Sequence, residues 1–267
     1  MSMNFEKNSF GKRIKSMMGV DFRRMFTSPL VYIMLGISFV MPILILVMTT
    51  MMDGTVSINP QTKEETIIHG FDYVWQIIGS ISGSDQAMSM DITSMCNINM
   101  MFFVISVFVC IFISEDFRSG YAKNLFTVRV KKDDYIISKT IVCFVASAGM
   151  FIVFFVGAMI GGVISSLPFT LEGATAFNVV MSMLSKIALT ALFVSIYVLA
   201  SVYAKQRLWL SLLMSLGIGM LMFMMIPIIT PLNSGIMNLV LCLIGSVLFC
   251  VGFSFGSKTI LDKTSLI

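Results

Sequence analysis

The chain has 267 residues, of which 57% are hydrophobic and 12% are charged, and its mean hydropathy is +0.93. Because soluble domains carry roughly 25% charged residues, this composition excludes an ordinary soluble domain and predicts an integral membrane protein. The formal net charge of +4 does not indicate a nucleic-acid-binding protein, because the basic residues cluster between long apolar runs.

Residues 1–28 are basic and precede the first apolar run. Phe10, Ile14, Met17 and Met25 recur at spacings that place them on one face of a helix. A helix with one apolar and one basic face is typical of a segment that lies on the membrane surface. The sequence therefore predicts an N-terminal interfacial helix, and a frayed basic tail is the alternative.

Long apolar runs occupy most of the remaining chain, and a helix needs about 20 residues to cross the hydrocarbon. Lipid offers the backbone no hydrogen-bond partner, so spans of this length are helical, and they are about twice as long as the strands of a membrane barrel. The predicted fold is an all-α integral membrane protein, a single transmembrane domain over 1–267 with six transmembrane helices. The predicted spans are 29–52, 95–114, 140–164, 179–204, 208–229 and 236–256.

The basic residues are distributed unevenly between the two sides of these spans. Sixteen of the eighteen Lys and Arg lie in the N-terminal segment, the 115–139 loop, the 205–207 turn and the tail, whereas the other side has only Lys63. Cytoplasmic loops carry the excess of positive charge, so both termini and the 115–139 loop are predicted to be cytoplasmic. The same charges favour contact with anionic membrane lipid, and no nucleic acid is expected as a partner.

Residues 53–94 form the long loop of the opposite, external side. The loop is acidic and contains an apolar patch over 67–78, which is too short to span the membrane. Two interpretations remain open: the patch lies on the outer membrane surface as a short amphipathic helix, or it caps the external mouth of the bundle.

Residue types that usually form catalytic or metal sites are sparse in this sequence. The predicted spans contain no Asp, Glu or His, whereas ion-coupled pumps use carboxylates within the membrane. The five cysteines form no C-x-x-C pair, and His69 is the one histidine, so neither a metal site nor an enzyme is predicted. The segment from Gly252 to Thr259 departs from the spacing of a phosphate-binding loop, so no cofactor is expected in this chain.

Lys186 is the one cation inside a predicted span. A lysine at mid-bilayer costs about 2.5–3.5 kcal/mol, which can be avoided by snorkelling to the outer interface or by pairing with Glu172. The functional alternative is a cation that lines a substrate path. Neighbouring polar residues that would extend such a path are Asn97, Asn99, Ser182 and Thr190.

Two pairs of glycines have the spacing of close helix contacts. Gly157 and Gly161 lie in the third predicted span, and Gly252 and Gly256 lie at the end of the sixth. Such pairs allow two helix backbones to approach each other, so both are expected to serve helix packing.

The 115–139 loop carries a recognisable pattern. A span ends at Glu115, a turn follows at Gly120, Lys123-Asn124-Leu125 opens a short amphipathic segment, and Ser138-Lys139 leads into the next span. This pattern, together with the interfacial helix, the six spans and the cytoplasmic termini, resembles the ABC-2 type permease family. The likeness is greatest to the small permeases of bacterial antimicrobial-peptide immunity, bacitracin resistance and peptide export.

The resemblance implies a subunit of an ATP-driven exporter in the bacterial plasma membrane. Two permease subunits, identical or sibling, would pair, and cytoplasmic ABC ATPase subunits carrying ATP and Mg²⁺ would dock on the first cytoplasmic loop. Gly120 would allow the chain to turn, and the aromatic and leucine side chains would fill a groove on the ATPase. The expected docking residues are Glu115, Phe117, Gly120, Tyr121, Lys123, Leu125, Phe126 and Arg129.

Three alternatives remain open from the residues. The 115–139 loop is a solvated connector without a partner, the chain is a stand-alone immunity or sensor protein that binds a ligand through its external loop, or it is an ion-coupled secondary transporter. Activity that follows an ion gradient without ATP would distinguish the last of these.

Overall fold

The computed structural model describes residues 10–58, 65–81, 92–127, 131–171, 173–223 and 225–263. Within these ranges the chain is a bundle of helices with two three-residue strands, β1 (Val56–Ile58) and β2 (Glu65–Ile67), which pair antiparallel. The helices are α1 (Phe10–Thr27), α2 (Pro29–Met52), α3 (Ile92–Met95), α4 (Met101–Arg118), α5 (Tyr121–Thr127), α6 (Lys132–Ile164), α7 (Ala176–Ala204), α8 (Leu208–Phe223), α9 (Ile226–Ile229) and α10 (Ile236–Lys263). Short 3₁₀ turns cover Val74–Ile77 and Ile98–Met100.

The all-α membrane class is confirmed. Five helical segments of the described chain are long and apolar enough to cross a membrane, namely Pro29–Met52, Ile98–Arg118, Lys132–Ile164, Ala176–Ala204 and Ile236–Lys263. The fifth predicted span, 208–229, differs from expectation. It is divided into α8, which has 16 residues and is therefore about 24 Å long, and the single turn α9. Pro227 lies in the first turn of α9, where its missing N–H breaks the continuity with α8.

Several helices extend beyond the apolar runs that predicted them. The sequence predicts the third span at 140–164, but α6 begins at Lys132. It predicts the sixth span at 236–256, but α10 ends at Lys263. Asp133 and Asp134 lie in the first turn of α6, where carboxylates stabilise the positive end of the helix dipole. Hydropathy marks the part of a helix that suits lipid, whereas the helix itself continues into polar sequence.

The first glycine pair joins α6 to α2. A Cβ atom at Gly157 would clash with the carbonyl oxygen of Phe39 and the ring of Pro42, and one at Gly161 would lie 2.9 Å from the Cα of Ile43. The two backbones therefore touch where α2 contains its buried proline. The second glycine pair does not form such a close contact at Gly252, where a Cβ would meet no atom within 4 Å.

Replacing Gly157 by Ala is expected to lower the free energy of unfolding by about 1–3 kcal/mol, because the added methyl group forces α6 away from α2. Gly149 is the matched control, since it lies on the same helix and a Cβ there would meet nothing within 4 Å. Gly149→Ala should change stability by less than about 1 kcal/mol. Thermal unfolding of the purified variants in one detergent compares them, and equal melting would contradict the close contact.

The segment 71–81 fills one end of the bundle. Val74, Ile77 and Ile78 are completely buried, and the Trp75 ring stacks on Phe155 at 5.9 Å between ring centroids. The Leu232 N–H donates to the carbonyl of Ser80 at 2.8 Å. This segment is a buried cap, so the interpretation as an amphipathic helix on the lipid surface is wrong. We call the end of the bundle that carries this segment and the β1–β2 pair the hairpin end.

Candidate functional site

A cluster of buried charges lies at the opposite end of the bundle, which carries α1, α5 and the 205–207 turn and which we call the basic end. The Lys139 ammonium lies between two carboxylates, at 2.7 Å from Asp21 Oδ1 and 2.7 Å from Asp116 Oδ2. All three side chains are fully buried. They come from α6, α1 and the end of α4, so one lysine joins three helices.

Further side chains complete the hydrogen bonding of the two carboxylates. The Ser138 hydroxyl donates to Asp21 Oδ2 at 2.6 Å, and the Tyr135 hydroxyl donates to Asp116 Oδ2 at 3.0 Å. Arg24 forms an ion pair with Asp116 Oδ1 at 2.8 Å. We call the six residues the ion cluster: Asp21, Arg24, Asp116, Tyr135, Ser138 and Lys139.

The ion cluster has balanced charge, because two carboxylates face one ammonium and one guanidinium. Burial lowers the pKa of Arg24, but the Asp116 carboxylate more than offsets this, so the pKa lies above its ordinary value. Isolated buried charges cost several kcal/mol each, and only close, hydrogen-bonded pairing offsets that cost. The contacts of Lys139 therefore hold α1, α4 and α6 in one relative arrangement.

The short helix α5 is attached to this cluster. The guanidinium carbon of Arg24 lies 3.9 Å from the centre of the Tyr121 ring, and the Phe126 ring meets Tyr135 at 5.4 Å between centroids. Gly120, between α4 and α5, has φ +74°, a conformation that glycine adopts at little cost. The turn predicted at Gly120 and the short helix after it are therefore present.

The structure distributes the predicted docking residues between surface and interior. Glu115 and Lys123 are exposed, and Tyr121, Leu125 and Phe126 are half-buried against the core. Phe117 is only 6% exposed and faces Tyr135, with 6.4 Å between ring centroids. Phe117 therefore supports α5 from within and is not part of an accessible groove-filling surface in this conformation. Arg129 lies outside the described residues.

Lys186 is fully buried towards the hairpin end. Its ammonium donates to Thr230 Oγ1 at 2.7 Å, to the Thr230 carbonyl at 3.0 Å and to Asn99 Oδ1 at 3.3 Å. The ammonium is therefore enclosed by protein, and Glu172 lies outside the described residues. The three acceptors are neutral, and among the described residues no carboxylate forms an ion pair with Lys186.

The other polar residues proposed for a substrate path have mainly local contacts. Asn97 caps the 3₁₀ turn by accepting from the Asn99 N–H at 2.9 Å, and the Thr190 hydroxyl donates to the Lys186 carbonyl within α7. Ser182 is buried and its hydroxyl has no hydrogen-bond partner among the described residues. Only Asn99 of this set binds the Lys186 ammonium directly.

These features define a polytopic helical membrane protein with a short helix, α5, next to the ion cluster. The chain belongs to the ABC-2 family of transporter proteins, because the model of that family, described as ABC-2 family transporter protein, matches residues 22–222. The match begins in α1 next to Asp21 and extends almost to the end of α8. No curated protein and no solved structure shows a significant similarity to the chain.

Membership of this family makes the chain a membrane permease of an ABC transporter. The family is the transmembrane component and not the catalytic ATPase, which agrees with the lack of a phosphate-binding loop in the sequence. Family membership thus implies an ATPase partner.

Proposed function

We propose that this permease is the membrane subunit of an exporter for a peptide or another amphipathic molecule in the bacterial plasma membrane. Two permease subunits pair, and cytoplasmic ATPase subunits bind at the basic end. The basic end then faces the cytoplasm with both termini, as the distribution of Lys and Arg favours. Antimicrobial-peptide export or immunity is the biological role that this proposal assigns.

The ion cluster is the observation that carries the proposal. Asp21, Lys139 and Asp116 connect α1, α6 and α4 through contacts of 2.7 Å, and Arg24 connects α5 to the same group. A force applied to α5 is therefore delivered to two membrane helices and to the interfacial helix together. Such a linkage suits a permease that is moved from one end by a separate motor.

The docking surface in this proposal is smaller than the sequence implied. Its charged part is Glu115 and Lys123, and its apolar part is the exposed edges of Tyr121, Leu125 and Phe126. Charges around an apolar contact set the register and the choice of partner. Phe117 takes a supporting role beneath this surface.

Lys186 belongs to the substrate path in this proposal, and that path is closed in the present conformation. The ammonium is held by Thr230, which follows α9, and by Asn99, which precedes α4. Separation of α7 from the α9 turn would release it. An anionic group of the substrate would then replace the neutral acceptors.

Reversing the charge of Lys123 tests the docking surface. Lys123→Glu is expected to abolish co-purification of an ATP-hydrolysing partner with the tagged permease, because an exposed cation at the contact becomes a repulsive anion. Lys263→Glu is the matched control, since Lys263 is also exposed and lies in the last turn of α10. ATP hydrolysis by complexes purified from native membranes measures both variants. Full hydrolysis with Lys123→Glu would contradict docking on α5.

A further inference from the structure

A basic cleft of about 690 Å³ opens at the basic end between the start of α5 and the α7–α8 turn. Apolar side chains of the spans form one wall of this cleft, among them Phe117, Tyr203 and Leu210. The lining also contains four cations: Arg118, Lys123, Lys205 and Arg207. The cleft thus combines several positive charges with apolar side chains at the ends of the spans.

These four cations differ from the other basic residues of this end. Three carboxylates of the basic end are paired with other cations, namely Asp134 with Arg13, Asp133 with Lys258 and Asp262 with Lys132. Among the described residues, none of the four cleft cations forms an ion pair. Glu115 is close in sequence, but it lines a different pocket beside Arg24. No carboxylate of the described residues therefore neutralises the cleft, which leaves its cations available to an external anion.

The position of the cleft favours a lipid as the source of that anion. The cleft lies where two candidate spans end, at Arg118 and Ala204. Tyr203 and Trp209 flank the α7–α8 turn and are 56% and 65% exposed, and exposed aromatic residues of this kind mark the level of the lipid headgroups. Basic pockets between transmembrane helices at the cytoplasmic side bind anionic headgroups.

We propose that this cleft binds the phosphate headgroup of an anionic phospholipid. The four cations surround the phosphate, and the acyl chains leave along Tyr203 and Leu210. Lys205 adopts φ +53°, a conformation that is uncommon outside glycine. Lys123 also belongs to the proposed docking surface, so the test below changes only Lys205 and Arg207.

The test uses the full chain, purified in detergent and examined by native mass spectrometry with added phosphatidylglycerol or phosphatidylcholine. The wild-type chain is expected to retain phosphatidylglycerol in preference to phosphatidylcholine. Lys205→Gln combined with Arg207→Gln should weaken the binding of phosphatidylglycerol about 30-fold, because each cation near the membrane surface contributes about a fivefold factor.

Two variants control this experiment. Lys12→Gln combined with Lys15→Gln removes the same charge from exposed positions of α1 and should leave retention of phosphatidylglycerol unchanged. Lys205→Arg combined with Arg207→Lys keeps both charges and should bind as the wild type does.

Equal retention of phosphatidylglycerol by the glutamine variant and the wild type would overturn the proposal. It would also be overturned if the α1 variant lost as much phosphatidylglycerol as the glutamine variant, or if the wild type bound both lipids equally. If the glutamine variant keeps its lipid but loses the ATPase, the occupant is an acidic segment of a protein, and the lipid proposal is also overturned. Loss of lipid with the ATPase still bound supports the lipid site without reference to docking.

Discussion

Replacing Lys139 by Met is expected to lower the free energy of unfolding by about 3–5 kcal/mol, because it leaves two buried carboxylates without their shared cation. Asp21 and Asp116 both lie 2.7 Å from the Lys139 ammonium, and all three side chains are fully buried. The methionine side chain fills a similar volume, so the loss is electrostatic. Thermal unfolding of the purified permease measures the effect, and ATP-dependent transport should be lost with it.

The matched control is Lys132→Met, because Lys132 lies about two turns before Lys139 and pairs with neither Asp21 nor Asp116. Lys132 lies on the same helix and pairs with Asp262 at 3.2 Å, where both side chains are partly exposed, at 27% and 52%. Exposed pairs contribute about 0–1 kcal/mol, so this variant should remain stable. A rescue variant adds Asp21→Asn and Asp116→Asn to Lys139→Met and should recover much of the loss. Equal stability of the two lysine variants would contradict the role of the ion cluster.

Replacing Lys186 by Met is expected to lower ATP-dependent transport at least about tenfold while changing the free energy of unfolding by less than about 2 kcal/mol. The stability remains because Lys186 binds neutral acceptors at Thr230 and Asn99, so its removal exposes no uncompensated charge. The loss of transport follows from the proposed role of the cation in the substrate path. Uptake of a fluorescent amphipathic peptide into inside-out vesicles measures transport.

Two further variants distinguish the charge of Lys186 from its packing. Lys186→Arg keeps a cation and should retain more transport than Lys186→Met. Thr190→Val removes a hydroxyl that bonds only within α7 and should transport normally. If Lys186→Met transports as the wild type does, the residue is a structural tie between α7 and the α9 turn and not part of a path.

The two buried lysines show what the sequence could predict. Lys186 stands out in the sequence because it interrupts an apolar run. Its partner Thr230 was not predictable from hydropathy, because the Thr230 carbonyl becomes available only where the helix stops after Ile229 and leaves a terminal acceptor without an intrahelical donor.

Lys139 gives no comparable signal, because it lies in a loop rich in charges. The sequence of α1 does indicate a buried carboxylate, because Asp21 lies four residues after Met17 and four before Met25. This spacing places Asp21 on the apolar face of the helix, and a carboxylate there implies a buried partner. The identity of that partner depends on how α1 packs on α6, which no local pattern specifies.

The helices that suit lipid were predictable because apolar runs of about 20 residues have few alternatives in a membrane. The ends of these helices were less predictable, since α6 and α10 continue into polar sequence. The burial of Phe117 and of the segment around Val74 was also not predictable, because both depend on which helices surround them. Contacts between distant segments decide these features, and hydropathy reports only the preference for lipid.

The central claim is that α5 lies in the cytoplasm, where an ATPase can reach it. Labelling of a Lys123→Cys variant with a maleimide that cannot cross membranes tests this most directly. The variant also carries Cys96→Ser, which removes a partly exposed native thiol. His69→Cys in the same background is the control from the hairpin end. The account predicts that position 123 reacts only after the cells are permeabilised, whereas position 69, which is exposed, reacts in intact cells. Labelling of position 123 in intact cells would contradict the claim.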